Sequence, residues 1–213
     1  MLPEVLERIE RAAQRAGRDP RSIQLVAVTK GHTPEEIRSR VLAYGDFPLG
    51  ESRIQEALPK MEVLQAHWHF IGPLQRNKAK AALRFELLHS LDSLRLAETL
   101  SHHAEQAHLQ LPALIELNLS REPQKHGFLL EELPGAYARL RELPGLKLVG
   151  FMTIGRQGSP EASRTIFATL SRIADEYGLP ERSMGMSDDF ELAVEEGATL
   201  LRIGRALFEP LSS

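Results

Sequence analysis

The chain contains no cysteine. That absence removes disulfides, thiolate metal sites and cysteine nucleophiles in one step, and it accords with a reducing compartment. An excess of charge is missing too. Against 26 Lys and Arg stand 29 Asp and Glu, a formal charge of −3, so no global field points to nucleic acid or an anionic membrane surface. Nowhere does the sequence approach the ~18 consecutive apolar residues of a membrane-spanning helix. The segment from Met1 to Arg11 carries charges at helical spacing where a signal peptide would have an apolar run. A cytosolic protein, without membrane or nucleic-acid partners, is the expectation.

What is present suits one large interior. Of 213 residues, 42% are hydrophobic and 26% charged, ordinary for a globular chain, and the length fits one αβ barrel better than two domains. No linker, low-complexity tract or composition shift divides it, so residues 1–213 are read as one domain.

Eight short apolar runs alternate with longer amphipathic stretches: Gln24–Thr29, Phe47–Gly50, His67–Ile71, Glu86–Ser90, Ala113–Asn118, Lys147–Ile154, Arg182–Ser187 and Thr199–Gly204. Between them, Leu91–Ala107 and Ala162–Tyr177 have apolar residues at helical spacing. Thr33-Pro34-Glu35-Glu36 has capping-box spacing with proline at the first helical position. Ser159-Pro160 and Asp188 with Glu191 are further helix starts, and Gly17, Gly45 and Gly178 are expected stops. Strand then helix, eight times over and preceded by an extra helix, predicts an α/β fold. The reading is a single (β/α)8 TIM barrel with an N-terminal helix; an open doubly wound sheet is the competing arrangement.

Leu25-Val26-Ala27-Val28-Thr29-Lys30 reads as a buried strand ending in a lysine. By parity Lys30 shares a face with Val26 and Val28, so its amine is predicted at the upper rim, where barrel active sites lie. Desolvation there would free the neutral amine to attack an aldehyde. The bland alternative is a solvated loop start. In Leu200-Leu201-Arg202-Ile203-Gly204-Arg205, the same parity turns Arg202 inward. A buried guanidinium needs an acceptor, either a carboxylate from another strand or the pyridine nitrogen of pyridoxal 5'-phosphate (PLP). Ser183-Met184-Gly185-Met186-Ser187-Asp188 and Gly204-Arg205 end the last two strands, where barrels often bind phosphate through backbone N–H groups.

These segments resemble the PLP homeostasis protein family, which shares the barrel of alanine racemase. The resemblance is carried by Leu25–Lys30, Gly50–Glu56, Trp68–Lys78, His89–Asp92, Ser183–Asp188 and Arg202–Gly204, in the family's order along nearly the whole chain. It implies a monomeric or weakly associating carrier or regulator with PLP as a Schiff base on Lys30, serving PLP and amino- and keto-acid supply and PLP-dependent apoenzymes, without established turnover. It further implies cofactor contacts from Ser52, Met152, Ser187, Arg202, Gly204 and Arg205. Gly50-Glu51-Ser52-Arg53 departs from the family's glycine–glutamate–asparagine–tyrosine, which puts the asparagine's contact near the cofactor in question.

Other residues invite weaker readings. His67 and His69 lie on one face of a strand but lack further ligands for zinc, so no metal is expected. The run from Gln75 to Lys80 is read as a solvated helix start, while Asn118, Ser120 and Lys125-His126-Gly127 could line the mouth of the site. Two alternative activities use the same lysine. A racemase needs a second base opposite Lys30, supplied in alanine racemase by an additional domain that is not expected here. A Schiff-base aldolase would attack a phosphorylated sugar directly.

Overall fold

In a computed structural model, which describes residues 1–209, eight parallel strands close into a barrel in sequence order. They are β1 (Gln24–Val28), β2 (Leu49–Glu51), β3 (Trp68–Phe70), β4 (Leu87–Leu91), β5 (Leu111–Glu116), β6 (Leu146–Met152), β7 (Glu181–Ser183) and β8 (Leu200–Ile203). Parallel pairing of β8 with β1 completes the ring. Each strand lies within or beside one of the eight apolar runs, and the open-sheet alternative falls. The seventh run is shortened most: β7 ends at Ser183, so Ser187 belongs to the following loop.

Helices cover the outside: α1 (Leu2–Arg15), α2 (Pro34–Arg40), α3 (Ile54–Val63), α4 (Ala79–Ala82), α5 (Leu94–Gln106), α6 (Leu133–Leu140), α7 (Pro160–Tyr177), α8 (Phe190–Glu195) and α9 (Arg205–Phe208). Local signals set several ends. Thr33 Oγ1 accepts from Glu36 N while Glu36 accepts from Thr33 N, which closes the capping box of α2. Gly178 ends α7 in the left-handed region. Proline opens α7 as expected, although the Ser159 side chain makes no cap bond. The start of α8 is at Asp189 and not Asp188, and the Asp189 carboxylate accepts from Met186 N at 2.7 Å.

The extra N-terminal helix has a structural task. Leu2, Val5, Ile9, Ala12 and Ala13 form its buried stripe, and it packs on α8 and α9, both too short to cover the barrel alone. Arg8 and Arg15 pair with Glu191 across that seam. Arg18 donates to the carbonyls of Val194 and Ala198 beyond the helix end.

Strand parity divides the apolar residues into two groups. Leu25, Ala27, Trp68, Phe70, Leu201 and Ile203 join the large cluster between barrel and helices. Val26, Leu87, Leu114, Met152 and Leu200 form a small separate cluster inside the barrel. One close approach fixes the wall: at Gly150 on β6, an added Cβ would stand 2.0 Å from the carbonyl oxygen of Glu181 on β7. Because that neighbour is backbone, it cannot rotate away. Gly150→Ala is expected to destabilise the barrel by roughly 1–3 kcal/mol, the usual range for overpacking, read as a lowered urea midpoint with an unchanged m-value.

Candidate functional site

Along several strands the inward residue nearest the C-terminal end is polar, whereas the one before it is apolar. Leu87 is followed two residues on by His89, Leu114 by Glu116 and Leu200 by Arg202. The lumen therefore changes from hydrocarbon to polar groups toward the rim that carries barrel chemistry.

Arg202 lies inside, 5% exposed, as parity predicts. Its Nη1 donates to Ser183 Oγ on β7, and its Nη2 donates to the Thr153 carbonyl oxygen at 2.9 Å. Among the described residues no carboxylate pairs with it directly, and neutral acceptors stand where the sequence allowed an internal ion pair. Burial lowers its pKa to about 10, against the opposing fields of Glu116 and Asp189. It remains a cation at neutral pH.

Lys30 follows β1 and is exposed at the rim. The desolvation expected of its position is thus not supplied by the protein surroundings alone. It lines a cleft of about 670 Å³ with Ser52, Arg53, Gln55, Lys78, Asp92 and His126 among others. Ser52 accordingly lines the same cleft as the lysine, while Arg53 precedes α3 and pairs with Glu56 at 2.9 Å. Of the mouth residues, His126 reaches this cleft. Lys125 instead donates to the Gly155 carbonyl oxygen, and Asn118 donates to the carbonyls of Glu122 and Lys125, which ties the loop after β5 together.

The other anchors sit around the ends of β7 and β8. Ser187 is half-buried, and its Oγ accepts from Ala206 N at 3.3 Å. Gly204 precedes α9, and an added Cβ there would be 3.2 Å from Val28 Cβ, so the turn runs close against β1. Arg205 is exposed and paired with Asp188. Met152 is 1% exposed in the inner apolar cluster. A second cleft of about 540 Å³ opens near this side, lined by Lys125, Arg156, Ser163, Met186 and Asp189 among others.

Two features were not read from the sequence. One is a buried ion pair outside the barrel. Lys60 of α3 donates to Glu51 at 2.5 Å and to the Thr29 carbonyl oxygen at 2.7 Å, while Thr29 Oγ1 donates to the same Glu51 oxygen. This clamps the peptide preceding Lys30. The other is a polar line through the lumen, in which His89 Nδ1 lies 2.8 Å from Ser183 Oγ and His89 Nε2 lies 3.1 Å from His69 Nδ1. His69 and His67 thus part company: His67 is outside with Glu86 and Asp46. No cluster of three or more metal-ligating side chains occurs among the described residues, and no helix there is long and apolar enough to cross a membrane.

Glu116, at the end of β5, is 6% exposed. Burial and the neighbouring Asp92 raise its pKa to about 7, with Arg202 pulling the other way. The unfolded chain loses this proton near pH 4.5, before the folded one does, so the carboxyl subtracts stability progressively as pH rises from there to about 7. Glu116→Gln should therefore gain stability relative to the wild type over that window, by up to ~3 kcal/mol, measured as the difference in unfolding free energy at mildly acidic and mildly alkaline pH. Lys60→Met should cost about 3–5 kcal/mol by leaving the Glu51 charge buried and uncompensated, whereas the double change with Glu51→Gln should recover part of it in denaturant titrations.

The family model described as "Alanine racemase, N-terminal domain" matches residues 2–211. A protein of Deinococcus radiodurans named pyridoxal phosphate homeostasis protein is 44% identical over 208 residues, 97% of this chain and 99% of that one. One of the same name from Aquifex aeolicus is 41% identical over 218 residues, 97% of this chain and 95% of its own. Among solved structures, PipY of Synechococcus elongatus with PLP bound superposes with a TM-score of 0.81 at 33% identity, covering 95% of this chain and 100% of PipY. Alanine racemase of Corynebacterium glutamicum, at 17% identity and a TM-score of 0.66, covers 100% of this chain and 62% of its own and shares the fold alone. The chain belongs to the alanine racemase N-terminal domain family and, within it, to the pyridoxal phosphate homeostasis proteins.

Proposed function

We propose that this protein carries PLP on Lys30 as a Schiff base and serves intracellular PLP homeostasis, as a single-domain cytosolic monomer that supplies PLP-dependent apoenzymes and turns over no substrate of its own. The observation that carries this reading is the placement of two groups on adjacent strands. An amine stands at the rim beyond β1, and a guanidinium points into the lumen from β8. The relatives' names and the PLP held by PipY support the same reading.

The residues fit the group they would hold. Arg202 commits two N–H groups to Ser183 and Thr153, and a guanidinium has five, so donors remain for a ring nitrogen. Ser187 Oγ accepts from Ala206 N, which leaves its own proton for a phosphate oxygen. Gly204 adds a backbone approach without a side chain in the way. Lys30 would hold the aldehyde carbon and Ser52 would flank it, while Met152 would act from below as part of the apolar floor. Arg205, paired with Asp188 through one nitrogen, would keep further N–H donors for a phosphate.

When bound, PLP supplies an electrophilic carbon conjugated to an electron-withdrawing ring. Arg202 would temper that property: as a cation that keeps its proton it would donate to the ring nitrogen without protonating it, leaving the ring a weak electron sink.

One observation favours a second reading. Glu116 is a buried carboxyl at the rim end of β5, and burial with Asp92 raises its pKa to about 7, a range in which a carboxyl can exchange a proton with a bound amino acid. The two readings separate experimentally. Purified wild type incubated with PLP should show a visible imine band that borohydride abolishes, with the reduced adduct placed on Lys30 by mass spectrometry and missing in Lys30→Ala. Deuterium should not enter the α-position of alanine. Sustained exchange would transfer the case to the racemase reading, and an adduct elsewhere would end both.

A further inference from the structure

Four side chains from four strands form a continuous polar line across the lumen: His69 on β3, His89 on β4, Ser183 on β7 and Arg202 on β8. All are buried, from fully enclosed His89 and Ser183 to Arg202 at 5% and His69 at 6% exposure. The bond between β4 and β7 joins strands that are not neighbours in the sheet, so it must cross the interior. The cofactor reading assigns a role only to Arg202.

Donor chemistry sets the direction of this line. Arginine can only donate, so Ser183 Oγ accepts from Arg202 Nη1. The serine proton then needs an acceptor, and His89 Nδ1 stands at 2.8 Å. A neutral imidazole accepting at Nδ1 holds its proton on Nε2, which donates to His69 Nδ1 at 3.1 Å. His69 is then also protonated on Nε2. Reversing the line would leave the Ser183 hydroxyl proton enclosed without this acceptor, at a cost of about 1–3 kcal/mol. Burial keeps both rings neutral: the His69 pKa falls to about 4, and that of His89 falls well below its ordinary value, with His69 and Arg202 adding to the effect. A second proton on His89 would oppose its Nδ1–H to the serine O–H.

Apolar residues of matching volume commonly fill such a space at no loss of stability. The polar line therefore calls for a reason beyond packing. We propose that Ser183, His89 and His69 are positioning residues that act through Arg202, locking its guanidinium in one orientation so that its free N–H donors face the aromatic nitrogen of the bound ligand. This rests on the PLP reading and deepens it by assigning three side chains outside the ring contact.

The test has two arms. In the unliganded protein with 15N-labelled histidine, long-range proton–nitrogen NMR should show His69 and His89 as neutral Nε2–H tautomers. Ser183→Ala, verified as folded by circular dichroism, should mix the tautomers of His89. In the second arm, PLP alone is titrated into wild type, Ser183→Ala and Ser183→Thr. The alanine variant should bind about tenfold more weakly and with a displaced absorption maximum, and threonine, which keeps the hydroxyl, should restore both. A His89 Nδ1–H tautomer in the wild type overturns the line as drawn. Wild-type affinity and spectrum in folded Ser183→Ala overturn the positioning role while leaving the PLP reading standing. Failure of the wild type itself to take up PLP removes that reading and the proposal with it.

Discussion

A guanidinium enclosed in a barrel must be given acceptors, and the interior of this protein is arranged around that demand. Arg202 arrives on the inner face because β8 alternates, with Leu201 and Ile203 committed to the helices. Leaving its charge unserved would cost several kcal/mol. Ser183 and the Thr153 carbonyl meet part of the demand, Ser183 from the last residue of β7 and Thr153 from the residue after β6. The same lumen thus holds a hydrocarbon floor of Val26, Leu87, Leu114, Met152 and Leu200 under a polar layer. Stability and chemistry are separated by height along the barrel.

The resident cation orders the charges of its neighbours. His89 stays neutral because burial opposes a second charge there and His69 and Arg202 add to the effect, while His69, one step further along the line, is kept neutral by burial with His67 adding to it. Glu116 feels the opposite pull from Arg202, yet burial and Asp92 prevail and keep its carboxyl partly protonated at neutral pH. Attraction at a distance does not replace a hydrogen bond, and no direct pair forms between Glu116 and Arg202. The polar layer is consequently close to carrying one fixed charge with groups around it that can donate and accept.

Much of this was legible because side-chain direction in a strand has period two. Parity alone placed Lys30 at the rim and Arg202 in the lumen, and the caps at Thr33 and Gly178 rest on chemistry within a few residues. Ser187 was placed on a strand that in fact ends at Ser183, since Met184 is buried and sequence alone does not tell a buried turn from a buried strand. For Lys30 the sequence left a desolvated amine and a solvated loop start both open, because its exposure depends on how far neighbouring loops rise. Long-range partners were the least visible. Lys60 reads as an ordinary helix lysine, and its carboxylate partner lies on another element. His89 did leave a trace: a polar residue two positions after Leu87, on the inner parity of an apolar run, has to be satisfied across the lumen.

The Glu51, Lys60 and Thr29 cluster explains how a rim lysine can be placed without being buried. Lys30 follows Thr29, whose carbonyl accepts from Lys60 and whose hydroxyl donates to Glu51. Both bonds lie on the outer side of the wall, because Thr29 has the parity of Leu25 and Ala27. The backbone is therefore held from behind while the lysine side chain stays free in front. A buried pair of this kind is a poor source of net stability, but it is specific about geometry, since moving either partner strands the other. A backbone clamped from behind with an exposed amine in front is the arrangement that the proposed attachment of an aldehyde at Lys30 calls for, since an enclosed amine would be harder to reach.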